Sequence, residues 1–239
     1  MTESNRQHAI VSRAEWVEAR RALLAEEKAF TRQRDALSQK RRELPWVRVD
    51  EPYTFTSVDG PRSLSDLFGG RSQLIVQHFM FGKDWGEGCP SCSFWADNFD
   101  GIDIHLAHRD ISFVAVASAS IDKLQAYRER MGWRFAFLSS EGTTFNRDYH
   151  VTFSAEELEA GGATYNFAPL SGSHQELPGV SAFYKDEGGA IFHTYSCYGR
   201  GLDALNGAYQ YMDLAPKGRD EGELPWPMAW LKRHDQYDD

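Results

Sequence analysis

The chain has 239 residues, 41% of them hydrophobic and 13% aromatic, which is ample for a packed core and too apolar for general disorder. Acidic residues outnumber basic ones 35 to 26, giving a formal charge of −9. That balance argues against nucleic acid or an anionic membrane as partner, since both reward basic surfaces. The length suits one large domain, or one domain with an added arm.

From the N-terminus, Met1 to Arg21 carries no apolar run of the secretory type, and the longest apolar runs elsewhere are strand-sized. With only three cysteines, this makes a reducing, cytoplasmic setting the expectation. Ser12 and Glu15 form a capping-box signature, and a helix pattern runs from about Arg13 to Glu43, where Pro45 stops it. Trp16, Leu23, Phe30, Leu37 and Leu44 recur every seven residues along it. Such a narrow seam packs either on the chain's own domain or on a second copy, making a homodimer through this helix.

Tyr53 to Phe55 reads as a short strand, Asp59-Gly60 as a turn, and Ser63 to Phe68 as a helical turn. Leu74 to Phe81 is a buried strand containing His78, which reads as a hydrogen-bonded core histidine or as a group within reach of the thiols that follow. After the strand comes Gly86-Glu87-Gly88-Cys89-Pro90-Ser91-Cys92-Ser93-Phe94-Trp95, with two of the three cysteines spaced C-x-x-C. Cys89 reads as N-cap of the next helix and Pro90 as its first residue, where a missing N–H costs nothing. Unpaired amides and the positive dipole end stabilise a thiolate there, lowering a thiol pKa from about 8.5 to as little as ~3.5–7.5.

Three readings of the pair compete. A redox dithiol fits the strand-to-helix setting. A c-type haem would need His after Cys92, where the chain has Ser93. Structural zinc wants four ligands, and only Cys197 and His193 remain, about 13 Å apart on an extended strand at ~3.3 Å per residue. Buried unreactive thiols are the third reading. No cofactor is expected.

Further along, Ile111 to Ala117 is a second buried strand, Ile121 to Met131 a helix, Phe135 to Leu138 a third strand, and Thr143 to His150 a short helix or loop. Alternating strands and helices call for an α/β sheet that binds at the carboxyl ends of its parallel strands, where Cys89 lies. Residues 154–178 interrupt the pattern: Ser154 and Glu157 cap a short helix, and a long loop holding Tyr165 and His174 follows. Val180 to Tyr184 and Ala190 to Tyr195 form a hairpin, with Cys197 just past it as a packing thiol. Leu202 to Leu214 reads as a final helix. The stretch Pro225 to Leu231 is apolar enough to dock, and Asp235 to Asp239 should be solvated.

The order strand, C-x-x-C, helix, strand, helix, hairpin and closing helix resembles the thioredoxin fold. More closely, the chain is similar to the thioredoxin-like family known as DUF899 from about Ala14 onwards. The resemblance is carried by His78-Phe79-Met80-Phe81, Gly88 to Phe94, Phe192-His193-Thr194-Tyr195-Ser196, Arg200-Gly201-Leu202-Asp203 and Asp213 to Glu221. It implies an α/β thioredoxin-like fold, a central mixed sheet flanked by helices. The helical arm would be residues 1–45 and the domain 46–224, with an insertion near 154–178 before the last hairpin. Residues 225–239 would be a tail packed on the domain.

The family is described as predicted dithiol–disulfide oxidoreductases. By that resemblance Cys89 is the nucleophile and Cys92 the resolving thiol, acting on a protein disulfide or a small thiol substrate, with a reductant the sequence does not name. Asp97, Glu87 and His78 are the nameable bases. Trp85, Pro90, Tyr165, His174, Gly179 and Val180 are expected to line the substrate groove. The thioredoxin Trp before the first cysteine is here Gly88, and Pro178-Gly179-Val180 falls near the usual cis-proline loop. Gly82 and Gly86 replace the Pro and Thr of the P-x-x-x-T-x-x-C peroxidase motif.

Overall fold

A computed structural model describes residues 8–238 and separates into two compact units, one ending at Pro45 and the other starting at Trp46. The first is the single helix α1 (Arg13–Arg42), fixed at its start by both arms of the expected capping box. The Ser12 N–H donates to Glu15 Oε2 at 2.9 Å and the Glu15 N–H to Ser12 Oγ at 3.3 Å. Lys40, Arg41 and Arg42 occupy its last turn, where the dipole favours cations. None of its residues is buried. Among the described residues no helix is long and apolar enough to cross a membrane.

The second unit is built on eight strands: β1 (Val47–Arg48), β2 (Thr54–Ser57), β3 (Gly60–Ser63), β4 (Gln73–His78), β5 (Ile111–Ala117), β6 (Ala136–Ser139), β9 (Gly179–Lys185) and β10 (Ile191–Tyr198). A separate two-stranded ladder, β7 (Thr164–Tyr165) and β8 (Ala168–Pro169), lies in the long loop. The large sheet has the order β1-β10-β9-β4-β5-β6-β2-β3. Strands β4, β5 and β6 run parallel and every other pairing is antiparallel. The helices are α2 (Pro90–Phe99), α3 (Asp103–Ala107), α4 (Ile121–Arg130), α5 (Phe145–Asp148), α6 (Ala155–Glu159) and α7 (Gly207–Met212).

Strand alternation sorts the core into two layers. Leu74, Val76, Val114 and Val116 point to one face and pack with Phe145, Tyr149 and Phe183. Ala115 and Ala117 point to the other, where Trp95, Ala96 and Phe99 of α2 and Leu124 and Tyr127 of α4 cover them with Phe79 and Phe81. Alanines in β5 let α2 approach the sheet closely. The mixed sheet with helices on both faces, and the helical arm before it, is the α/β thioredoxin-like architecture expected.

Two local readings need correction. The segment expected as one closing helix is a 3-10 turn (Gly199–Leu205) followed by α7, because the Asn206 side chain accepts the Tyr209 N–H at 3.0 Å and starts a new helix. Cys197 lies inside β10, opposite Val180, since pairing with β9 carries the strand on to Tyr198. Asp235 is exposed, as expected, and its carboxylate also pairs with Arg130 at 2.7 Å.

Candidate active site

Segment 79–81 extends β4 along β5, the Phe79 N–H donating to Val116 O and the Ala119 N–H to Phe81 O. Backbone groups alternate in direction along a strand, so those of Met80 point the other way, and both go to the cysteines. The Met80 carbonyl accepts the Cys89 N–H at 3.0 Å, and the Met80 N–H donates to Cys92 Sγ at 3.4 Å. Cys89 is the N-cap of α2 and Pro90 its first residue. The Ser93 hydroxyl donates to the Cys89 carbonyl at 2.8 Å and meets the Tyr127 hydroxyl at 2.7 Å.

The two thiols are held differently. Cys89 is partly exposed and closes no capping bond, but its sulfur faces the Cys92 thiol, which is the main reason its pKa falls to about 6. Burial opposes that fall; the N–H groups of Cys92 and Ser91 and the Ser91 hydroxyl reinforce it. Cys92 is 5% exposed, and donation to Cys89 together with burial pushes it well above the ordinary thiol value. The arrangement separates one ionised, approachable sulfur from one protonated, buried sulfur.

Gly88 precedes the pair because nothing larger fits: a Cβ there would stand 2.6 Å from Tyr127 and 2.7 Å from Phe79. Its carbonyl is gripped from the chain terminus. Arg233 donates to it through Nη2 at 2.6 Å and Nε at 3.1 Å, reaches the Tyr127 hydroxyl at 3.0 Å, and pairs with Glu87 at 2.7 Å. Arg130 bridges Glu87 and Asp235. The strap is anchored by Trp230, whose ring lies edge-on to Phe94 and whose indole N–H donates to Glu221 at 2.7 Å.

The other singled-out residues divide. Glu87 is taken by two arginines, and Asp97 accepts from the Trp133 indole at 2.8 Å and pairs with His234 at 2.7 Å. His78 stacks with Phe145 and Tyr149 on the face opposite α2, and burial pushes its pKa down to about 3, so the ring is neutral. It begins a buried chain: His78 Nε2 to Ser181 Oγ at 2.8 Å, Ser181 to Ser196 at 2.7 Å, and Ser196 to His193 Nε2 at 2.7 Å.

Of the residues expected to line a groove, Pro90 begins α2, and the Tyr165 hydroxyl donates to Pro178 O at 2.7 Å and accepts the Gly199 N–H at 2.8 Å. Gly179 pairs with His78 and is tightly walled by Tyr198, while Val180 is core. His174 lies exposed in the loop. Trp85 folds its ring over Gly82. No described peptide bond is cis, so Pro178 follows a trans bond. Among the described residues no three His, Cys, Asp or Glu side chains come together to hold a metal ion.

Glu176 has no counterpart in the sequence reading. It is 6% exposed, accepts the Thr152 hydroxyl at 2.9 Å, and its charge is felt at Cys92. Burial raises its pKa to about 7, against the hydrogen bonds from Thr152 and Ser118. In the sequence it is a polar residue in a polar loop; only the pairing of residue 176 with Thr152 takes it inside.

Mixed sheet, central strand and a C-x-x-C opening the next helix define a thioredoxin-like protein. The chain belongs to the DUF899 family, described as bacterial proteins of unknown function, which matches residues 5–237. Among curated proteins none matches it. Solved structures that it resembles include the peroxidoxin BcpB of Mycobacterium tuberculosis, at 13% identity and TM-score 0.46 over 70% of this chain and 97% of that one. Peroxiredoxin Q of Xanthomonas campestris follows at 11% and 0.46 over 70% and 97%, and the mitochondrial 2-Cys peroxiredoxin of Plasmodium falciparum at 10% and 0.39 over 72% and 92%. At that distance they say nothing of the chemistry here.

Proposed function

We propose that the protein is a thiol–disulfide oxidoreductase working through Cys89 and Cys92. The observation that carries this reading is the split between the sulfurs: Cys89 ionised from about pH 6 and partly exposed, Cys92 buried and protonated beside it. The Cys89 thiolate attacks one sulfur of a substrate disulfide, forming a mixed disulfide and expelling the other half as a thiolate that takes up a proton. Cys92 then loses its proton and attacks Cys89 Sγ, expelling the second half and leaving a Cys89–Cys92 disulfide. Two electrons pass from the dithiol to the substrate, and an external thiol restores the dithiol. Glu176 suits the proton step, being buried, coupled to Cys92 and able to exchange a proton near pH 7.

Alkylation of Cys89 followed against pH tests the premise; its rate should reach half its maximum near pH 6. Cys92→Ser should accumulate a mixed disulfide at Cys89, visible by mass spectrometry, whereas Cys89→Ser should form none. A Cys89 that alkylates with an ordinary thiol profile, in a protein that reduces no disulfide, would refute the reading.

A further inference from the structure

Cys89 is clamped on both sides of its Cα. In the peptide before it, the Cys89 N–H donates to Met80 O at 3.0 Å, and the Gly88 carbonyl accepts Arg233 Nη2 at 2.6 Å and Nε at 3.1 Å. The peptide after it has no N–H, because Pro90 follows. Its carbonyl accepts the Ser93 N–H at 2.9 Å and the Ser93 hydroxyl at 2.8 Å. Every polar group of the two peptides is thus paired.

The two clamps meet at one atom, the Tyr127 hydroxyl, 2.7 Å from Ser93 Oγ and 3.0 Å from Arg233 Nε. Proton counting fixes the direction of these bonds. A guanidinium can only donate, and the single Ser93 hydroxyl proton is already given to the Cys89 carbonyl. Tyr127 therefore accepts from Arg233 and donates to Ser93, and burial keeps its proton in place by raising its pKa. The line runs one way, from a guanidinium through two hydroxyls to the Cys89 carbonyl. Bonds aligned in this manner polarise and strengthen one another away from water, and Tyr127 and Ser93 are 4% and 0% exposed. The Tyr127 ring is held independently, with Phe81 and Trp133 edge-on to it at 5.5 and 5.4 Å. Its packing can be kept while the hydroxyl is removed.

We propose that Tyr127 is a positioning residue for Cys89, its hydroxyl joining the C-terminal segment to the backbone that carries the sulfur. The fixed backbone holds that sulfur against the Cys92 thiol and the Cys92 and Ser91 N–H groups, the donors that stabilise its thiolate. What the thiolate then does rests on the oxidoreductase reading; the positioning does not.

The pH profile of alkylation in Tyr127→Phe, read at Cys89 by mass spectrometry, tests the assignment. The midpoint should rise from about pH 6 by about half a pH unit, so that at pH 6 the reaction runs at about a quarter of its own maximum instead of half. Ser93→Ala should raise it as well. The two substitutions together should raise it no further than the larger single effect, as for members of one line. Leu124→Val, three residues earlier on the buried face of α4, weakens packing alone and should leave the midpoint in place. A wild-type midpoint in Tyr127→Phe overturns the assignment. So does a rise matched by Leu124→Val, which makes packing the cause, and so do additive rises, which make the two hydroxyls independent.

Reduction of insulin disulfides by the same proteins separates the positioning from the reaction. A midpoint that moves in a protein reducing no disulfide keeps Tyr127 in its role and removes the reaction. Insulin reduction at the wild-type rate with an unmoved midpoint keeps the reaction and overturns the role of Tyr127.

Discussion

His78 and Glu176 are buried side chains whose charged forms are penalised, and they do opposite things as pH changes. His78 must stay neutral, so its burial weakens the fold as pH falls below the ordinary histidine range. Glu176 holds its proton more tightly folded than unfolded. Its contribution to stability is therefore fully present below about pH 4.5 and is lost as pH rises through about 7. A shift of that size corresponds to about 3 kcal/mol, as an order of magnitude. Glu176→Gln keeps an acceptor for the Thr152 hydroxyl and removes the titration. Urea unfolding at a series of pH values should show the variant gaining on the wild type between about pH 5 and 7, by about 3 kcal/mol at most. Parallel curves would mean that the carboxyl is hydrated and cannot serve as the proton partner of Cys92. Nothing near residue 176 in the sequence marks this burial, whereas Cys89-Pro90-Ser91-Cys92 announces itself by spacing and by the proline at N1.

The elements most legible in the sequence are those held by local chemistry. Both serine capping boxes stand where Ser12 and Ser154 place them, and the apolar runs of β4 and β5 are strands. Legibility fails where a partner lies far along the chain. Asn206 breaks the closing helix by capping a new one, and β1 pairs Val47 with His193. The C-terminal strap is the clearest case, since Arg233 meets Gly88 and no local pattern marks the encounter. With its side chain only 13% exposed and two donors on one carbonyl, Arg233 fixes the backbone just before Cys89. Arg233→Ala should cost about 2 kcal/mol, within the range for hydrogen bonds to charged groups. It should also speed hydrogen exchange across residues 82–88 and move the alkylation midpoint of Cys89 upward. Arg233→Lys should restore only part of each, because an ammonium cannot reproduce the fork. Unchanged exchange in that loop would reduce the strap to a surface ion pair.

At the scale of the whole molecule, the α/β layering follows from strand and helix alternation, and the edges of the sheet do not. Strands β1 and β3 are two and four residues long, too short for periodicity to register, and their places depend on pairing alone, whereas β2 overlaps the short strand read at Tyr53 to Phe55. The arm is the reverse case, since its pattern is plain and its purpose is a matter of what covers it. Trp16, Leu23, Phe30 and Leu37 are 46%, 51%, 65% and 49% exposed, one large apolar side chain in each heptad. At 1.5 Å per residue the 30-residue helix is about 45 Å long and carries that seam, from Trp16 to Leu37, over about 32 Å, a repeat that suits pairing with the same seam on a second copy. On this proposal the protein is a homodimer at tens-of-micromolar concentration, as light scattering would show. Leu23→Glu combined with Phe30→Glu places charge in the middle of the seam and should halve the measured mass. The melting of the domain beyond Pro45 should not change, because neither residue belongs to its core. A wild-type protein that already runs as a monomer would refute the pairing. A lower melting temperature in the double variant without a change in mass would assign the seam to the chain's own domain instead.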